Sequence, residues 1–292
     1  MKSAPFEYVR ATSIEETCAL LAQHSDSAML IAGGQSLVPM MAFRLVRPGW
    51  LVDINEIPAL KVVSFERNAV RTGACVRQCA MERDDALAAS VPLLRQALGW
   101  VGHTQTRNRG TVGGSLAHAD PAAELPLVAQ ILEASIVARS QAGTRVVPAS
   151  SFFAGPMTTA LQPDDCLEQI HWPIWPEKKT GSAFMEVSRR RGDFAMVAAA
   201  AQIAVDDEGC CTRVAFGVAG ASPVPIAFPG LAQPLRGSRA DDAMLRDVAQ
   251  SAAAALDPES DIHASAAYRR HLAGVLAMRA LKSAYDDARA VR

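Results

Sequence analysis

The sequence has almost no charge imbalance, no cysteine pattern and no long apolar run, and each lack excludes something. Its 292 residues carry 29 Lys and Arg against 30 Asp and Glu, a formal net charge of -1. Nucleic acid is therefore an unexpected partner, because proteins that bind it show a basic excess on one face. The six cysteines, Cys18, Cys75, Cys79, Cys166, Cys210 and Cys211, include no C-x-x-C pair and no second cluster that could complete a zinc or iron–sulfur set. Scattered free thiols fit a reducing compartment. Glycine pairs, Pro39 or charges interrupt every apolar run well short of bilayer-spanning length, and MKSAPFEYVR lacks the continuous apolar stretch of a signal peptide. The expectation is a cytoplasmic protein without a membrane span. Neither G-x-G-x-x-G nor G-x-x-x-x-G-K-[ST] occurs, which disfavours Rossmann and P-loop folds. No Ser/His/Asp order and no H-E-x-x-H stands out, so hydrolysis has no support. No repeat period or low-complexity stretch is present.

What remains is a chain half apolar and one-fifth charged, the balance of a globular protein, and long enough for one large domain or two ordinary ones. Ser13-Ile14-Glu15-Glu16 is a capping-box pattern, and Ile14, Thr17, Leu20 and Leu21 continue it at helical spacing. Apolar runs at 28–32 and 51–54 predict strands, which makes 1–57 a small α/β unit. A second unit, 58–176, reads as paired strands at 60–63 and 69–73, helices at 76–82, 84–89, 92–100 and 120–129, a glycine-rich loop at 110–115, and strands at 131–139 and 166–172. The run Trp172-Pro173-Ile174-Trp175-Pro176 and the charges after it form a linker, so the boundary falls between 176 and 177. Residues 177–292 predict strands at 181–188, 195–205 and 212–219, the last two a hairpin through 206–209, and then helices at 241–256 and 266–290. The fold class is α+β, with the C-terminal domain the smaller.

Two glycine pairs echo each other, Gly33-Gly34-Gln35-Ser36-Leu37 and Gly113-Gly114-Ser115-Leu116. Glycine lets backbone N–H groups approach a phosphate closely, and successive N–H groups in a turn form an anion-binding nest. Two such loops suit a pyrophosphate; the alternative is a pair of tight turns. Arg189-Arg190-Arg191 is a solvated face, or else a subunit contact or phosphate neighbour. Trp100, Trp172 and Trp175 either shield a bound ligand or pack at domain borders.

The stretch from Arg107 to Glu124, RNRGTVGGSLAHADPAAE, is more specific. Together with AGGQSLVPMMAFRLVRP at 32–48 and SRRRGDFAMVAAA at 188–200, it resembles the FAD-binding medium subunits of the carbon monoxide dehydrogenase and xanthine dehydrogenase family of molybdenum hydroxylases. The resemblance covers nearly the whole chain. It implies a two-part FAD-binding domain of the vanillyl-alcohol-oxidase type followed by a smaller α+β domain. It also implies that Ala32, Gly33, Gly34, Gln35, Ser36 and Leu37, with Thr111, Gly113, Gly114 and Ser115, wrap the phosphates and ribityl chain of FAD.

By the same resemblance, Val101 lies near the isoalloxazine, Glu124 accepts a nucleotide hydroxyl, Leu167 lies beside the ring or adenine, and His118 touches FAD. Plain strand core is the alternative for Leu167, and a solvated loop position for His118. Met29 and Met185 stand where relatives carry lysines, which leaves phosphate neutralisation to backbone donors and arginines. Gln35 stands where some relatives have a histidine and cannot form a histidyl–flavin bond, so the FAD is expected to be non-covalent.

The implied function is electron transfer. Electrons from substrate hydroxylation at a molybdopterin site on a large subunit would pass through [2Fe-2S] clusters on a small iron–sulfur subunit to this FAD and on to an external acceptor, in a dimer of heterotrimers. The protein positions the cofactor, and no catalytic acid or base is assigned. Two rivals are a self-sufficient FAD-dependent oxidoreductase with its own substrate pocket and a non-catalytic nucleotide-binding subunit.

Overall fold

A computed structural model describes residues 2–291. The chain begins as expected with an α/β unit. Glu7–Arg10, Trp50–Asp53 and Ala28–Ile31 pair in parallel in that spatial order, crossed by the helix Ile14–His24. Ser13 caps that helix, its hydroxyl accepting from the Glu16 amide at 3.0 Å. The returning Glu16 carboxylate reaches one residue further than a standard capping box and takes the amide and hydroxyl of Thr12, both at 2.7 Å. Ile14, Thr17, Cys18 and Leu21 form the buried stripe.

The second unit is a five-stranded antiparallel sheet ordered Val63–Phe65, Ala69–Gly73, Cys166–Pro173, Ser135–Ser140, Gly143–Pro148. Several boundaries differ from the sequence reading. Leu60 lies in a 3-10 turn, Pro58–Lys61, because proline at its first position sets a helical φ; the strand starts three residues later. Residue 131 ends a helix, Glu124–Ile131, instead of starting a strand. The apolar run LPLVAQIL satisfies both periodicities, and the left-handed Glu133 (φ 56°) then turns the chain into Ser135–Ser140. The edge strands Glu7–Arg10 and Gly143–Pro148 and the helix Thr104–Arg109 escaped sequence reading because they bury little or nothing.

The C-terminal part follows the expected order. Thr180–Val187, Val197–Val205, Cys211–Ala219 and Ile226–Ala227 form an antiparallel sheet, and the central pair is a hairpin closed around residues 206–209. Every residue of Val197–Val205 is buried, because both faces of the sheet are covered. One face packs on Asp242–Ala255 and Ala266–Ala290. The other carries Phe184, Ala198 and Ala200 into the core of the first two units. Small residues allow the close approach: a Cβ on Gly181 would collide with the backbone of the long terminal helix at Ala284 and Ala288.

The tryptophans pack. Trp172 is fully buried with its indole N–H donating to Thr72 Oγ1 at 2.9 Å, Trp175 lies under the Arg213 guanidinium at 4.1 Å, and Trp100 rests against the first core. No helix among the described residues is long and apolar enough to cross a membrane.

Candidate functional site

The parallel strand Ala28–Ile31 ends at the first glycine loop, residues 32–36, which feeds the short helix Leu37–Ala42. Gly34 holds φ at 69°, a conformation that costs glycine nothing. Among the described residues, the backbone N–H groups of Gly33, Gly34, Gln35 and Ser36 meet no protein acceptor. The Gln35 amide folds back on the Gly33 carbonyl at 3.2 Å, and the Ser36 hydroxyl makes no capping bond. A row of unclaimed donors in a turn is what an anion requires.

Two residues that sequence reasoning missed fix this loop against the second glycine segment. Asn55 Nδ2 donates to the Ala32 carbonyl and to Asp53 Oδ1, both at 2.7 Å, while the Arg77 guanidinium donates to Asn55 Oδ1 at 2.7 Å and to the Arg109 carbonyl. Burial works against the Asp53 carboxylate, yet hydrogen bonds from Tyr8 and Asn55 hold its pKa below the ordinary value. Gly33 completes the junction, because a Cβ there would sit 2.5 Å from the Arg109 carbonyl oxygen. Neither Asn55 nor Arg77 belongs to a motif, and only their packing reveals them.

The second glycine pair is not a loop. Gly113, Gly114 and Ser115 lie in the first turns of a helix, Val112–His118, capped by Thr111, whose Oγ1 accepts from the Gly114 amide at 3.0 Å. The Val112 amide donates to the Val76 carbonyl at 3.0 Å and the Gly113 amide to the Ala74 carbonyl at 2.9 Å. Its early donors are thus used within the protein, and Gly113 is glycine because a Cβ would lie 2.5 Å from that of Ala74. What this helix presents outward is a face of small residues, Gly114 and Ala117 exposed and His118 and Ser115 half-buried beside them. From Gly114 to His118 that face runs for roughly 6 Å at 1.5 Å per residue.

It leads, through the left-handed Ala119, to a cavity of about 770 Å³ between the first two units and the C-terminal sheet, whose walls include His103, Pro121, Arg189, Phe194, Met196 and Arg269. Val101 is buried, with its carbonyl and that of Gly102 accepting from Arg107 at 3.0 and 3.1 Å; the same guanidinium clamps Glu82. Arg269, 8 % exposed, ties the Met196 and Gly220 carbonyls to Asp261. Phe194, 72 % exposed, is an unshielded aromatic on this wall. Of the arginine run, all exposed, Arg189 lines the cavity.

Glu124, at the start of its helix, is buried beneath this region. Burial raises its pKa to about 7, and Asp120 adds to the shift. Glu186, on the strand that faces it, is pushed up to about 8 by burial and then by Glu124, and neither of its oxygens has a hydrogen-bond partner among the described residues. Leu167 is 5 % exposed within the central strand and packs in the core. Met29 is half-buried in its strand, and Met185 packs against the C-terminal helices. The structure therefore brings the first loop, the Thr111 turn and the small-residue face together, and sets Val101, Glu124 and Leu167 deeper. No group of three or more metal-ligating side chains occurs among the described residues.

Comparison with known proteins follows the same division. Residues 4–175 match the family model of the FAD binding domain in molybdopterin dehydrogenase, and residues 182–284 match that of the CO dehydrogenase flavoprotein C-terminal domain. The chain is 37 % identical over 289 residues to the alpha subunit of the 6-hydroxypseudooxynicotine dehydrogenase complex of Paenarthrobacter nicotinovorans, covering 99 % of this chain and 97 % of that one. It is 38 % identical over 288 residues to caffeine dehydrogenase subunit beta of a Pseudomonas strain, covering 98 % and 97 %. Among solved structures it superimposes on a chain of carbon monoxide dehydrogenase from Hydrogenophaga pseudoflava with a TM-score of 0.95 at 32 % identity, covering 98 % of this chain and 99 % of that one.

Proposed function

The chain belongs to the FAD-binding flavoproteins of the molybdopterin dehydrogenases, and from that premise we propose that it is their electron-transfer subunit, passing electrons from an iron–sulfur partner to an external acceptor. The observation that carries the reading is the first loop, whose donors at Gly33, Gly34, Gln35 and Ser36 meet no protein acceptor among the described residues. The residues fit the cofactor: the loop N–H groups would donate to phosphate oxygens, the hydroxyls of Ser36 and Ser115 would hold the nucleotide, and the Gly114–Ala117–His118 face leaves room beside them because its side chains are small or half-buried. Val101 and Leu167 are the apolar neighbours and Glu124 the acidic one. Bound there, FAD supplies the exchange between one-electron and two-electron carriers. Gln35 offers no nucleophile for a flavin bond, so the cofactor is held non-covalently.

The partners are a small subunit with [2Fe-2S] clusters and a large molybdopterin subunit, assembled as a dimer of heterotrimers in the cytoplasm. The FAD-binding part ends and the C-terminal domain begins between residues 176 and 177. The test is to purify the chain alone and precipitate it with acid. All yellow colour should pass into the supernatant, and dithionite should bleach the native protein while hydroxylase substrates leave it oxidised. Colour retained in the washed pellet would refute non-covalent binding. Substrate-dependent bleaching of metal-free chain would replace the electron-transfer reading with a self-sufficient oxidoreductase.

A further inference from the structure

An uncovered apolar and cationic ridge adjoins the first loop. The helix Leu37–Ala42 starts where that loop ends, and its Val38 amide bonds the Gly34 carbonyl at 3.0 Å. Val38 is 48 % exposed, and Phe43 and Leu45, just past the helix, are 64 % and 73 % exposed. Between those two, Arg44 holds φ at 59°, a left-handed conformation that costs a side-chain-bearing residue about 1 kcal/mol or more. The bend is secured by the Arg44 amide on the Met41 carbonyl at 3.0 Å, the Leu45 amide on the Met40 carbonyl at 2.9 Å, and Arg44 Nε on the Lys2 carbonyl at 3.3 Å. Its effect is to turn two large apolar side chains outward together. An isolated chain gains nothing from backbone strain that exposes Phe43 and Leu45, whereas such a patch beside a functional loop marks a protein contact.

Charge narrows the occupant. No acidic residue occurs from Ser27 to Val52, and the charged side chains of the ridge are Arg44 and Arg47, both exposed. An iron–sulfur cluster bound by four thiolates carries net negative charge in both of its usual redox states. A protein face over such a cluster is electrostatically matched to this ridge and mismatched to an acidic one. Position narrows it further, since the helix bearing Val38 is continuous with the loop expected to hold the cofactor phosphates.

We propose that the Val38–Phe43–Leu45 ridge, rimmed by Arg44 and Arg47, is the docking surface for the iron–sulfur subunit. The assignment rests on the electron-transfer reading above. The two exposed side chains act as apolar anchors and the arginines set the approach and register.

The test uses the co-expressed assembly, pulled down by a tag on this chain and weighed by native mass spectrometry, with iron, molybdenum and flavin measured per chain. The double variant Phe43→Glu, Leu45→Glu should lower recovery of the iron-containing subunit about tenfold or more, with the flavin content and melting temperature of the tagged chain unchanged. Arg44→Gly should relieve the strained φ and raise the melting temperature, yet weaken capture of the same subunit and flatten its salt dependence. Unchanged iron stoichiometry in the double variant overturns the assignment. So does loss of molybdenum with iron retained, which would place the large subunit on the ridge. Loss of a second copy of this chain alone would make it a self-association surface. Wild-type chain that carries FAD but captures no iron-containing chain overturns both the ridge assignment and the assembly reading. Wild-type chain that captures the iron-containing chain without flavin sinks only the flavin site.

Discussion

Gly33-Gly34 and Gly113-Gly114 are nearly the same words in the sequence and opposite devices in the structure. At the first pair the backbone donors of residues 33–36 meet no protein acceptor among the described residues, and Gly34 takes a left-handed φ of 69°. At the second the early donors are already bonded, the Val112 and Gly113 amides to strand-side carbonyls and the Gly114 amide to the Thr111 hydroxyl. Glycine is needed at the first pair to shape a turn and at the second to let a helix press on Ala74. The lesson is that a glycine pair reports close approach, and only the hydrogen-bond inventory tells whether a ligand or the protein itself is what approaches.

The sharpest way to break this contrast is to add side chains to each pair. In Gly113→Val the new Cβ meets Ala74 within a buried helix contact, so about 2–3 kcal/mol of stability should be lost, read as a lower melting temperature of the flavin-free chain. Gly34→Val meets only flexible side chains, Val38 and Ile31 at 3.1 and 3.3 Å, but carries a left-handed φ costing about 1–2 kcal/mol. It should keep its fold and lose most of its flavin. A flavin-free Gly113→Val that melts like wild type would erase the distinction.

A second contrast concerns pH, because the open loop holds no strongly shifted acid while the seam beyond the second helix buries Glu124 and Glu186. Both carboxyls bind a proton more readily folded than unfolded. Their contribution to stability is therefore complete below the ordinary value of 4.5 and is lost as pH rises through about 7 for Glu124 and about 8 for Glu186. The flavin-free chain should melt several degrees lower, roughly 5 °C, at pH 9 than at pH 6. Glu186→Gln should flatten that slope. A slope that is flat in wild type, or unchanged in the variant, would mean that the seam admits enough water to leave these groups near their ordinary values.

The smallest expected effects form a crossed pair. Thr111→Val removes a helix cap worth about 1 kcal/mol and should reduce melting temperature more than flavin affinity. Ser36→Ala removes a hydroxyl without a capping role and should leave melting unchanged while weakening FAD by about fivefold, one ordinary hydrogen bond. If both variants lost flavin equally, the second segment would bind the cofactor as directly as the first.

Much of this molecule was legible in its residues. The Ser13 cap, the C-terminal hairpin and its two closing helices follow from local periodicity and turn chemistry, which act over a few residues and leave their mark in order along the chain. The family motifs at 32–48, 107–124 and 188–200 pointed to the FAD-binding family that comparison then showed. What local pattern could not say is where backbone donors end. The second glycine stretch reads as a loop because glycine is a poor helix former, yet Thr111 caps it locally and the Ala74 and Val76 carbonyls, more than thirty residues back, anchor it.

Asn55 and Arg77 left no sequence signal, since a side chain that braces one loop against another is defined by distance in space. The influence of Glu124 on the buried Glu186 likewise exists only once the C-terminal sheet has closed over the helix at 124. The sequence by itself determined the capped and strongly periodic elements, the cofactor family and the places of close backbone approach, because propensity, capping and glycine's missing Cβ are local properties. Which glycine pair keeps its donors free of protein acceptors among the described residues, and which acids lose their water, was decided by the tertiary structure alone, because hydrogen-bond satisfaction and desolvation depend on what distant segments bring alongside.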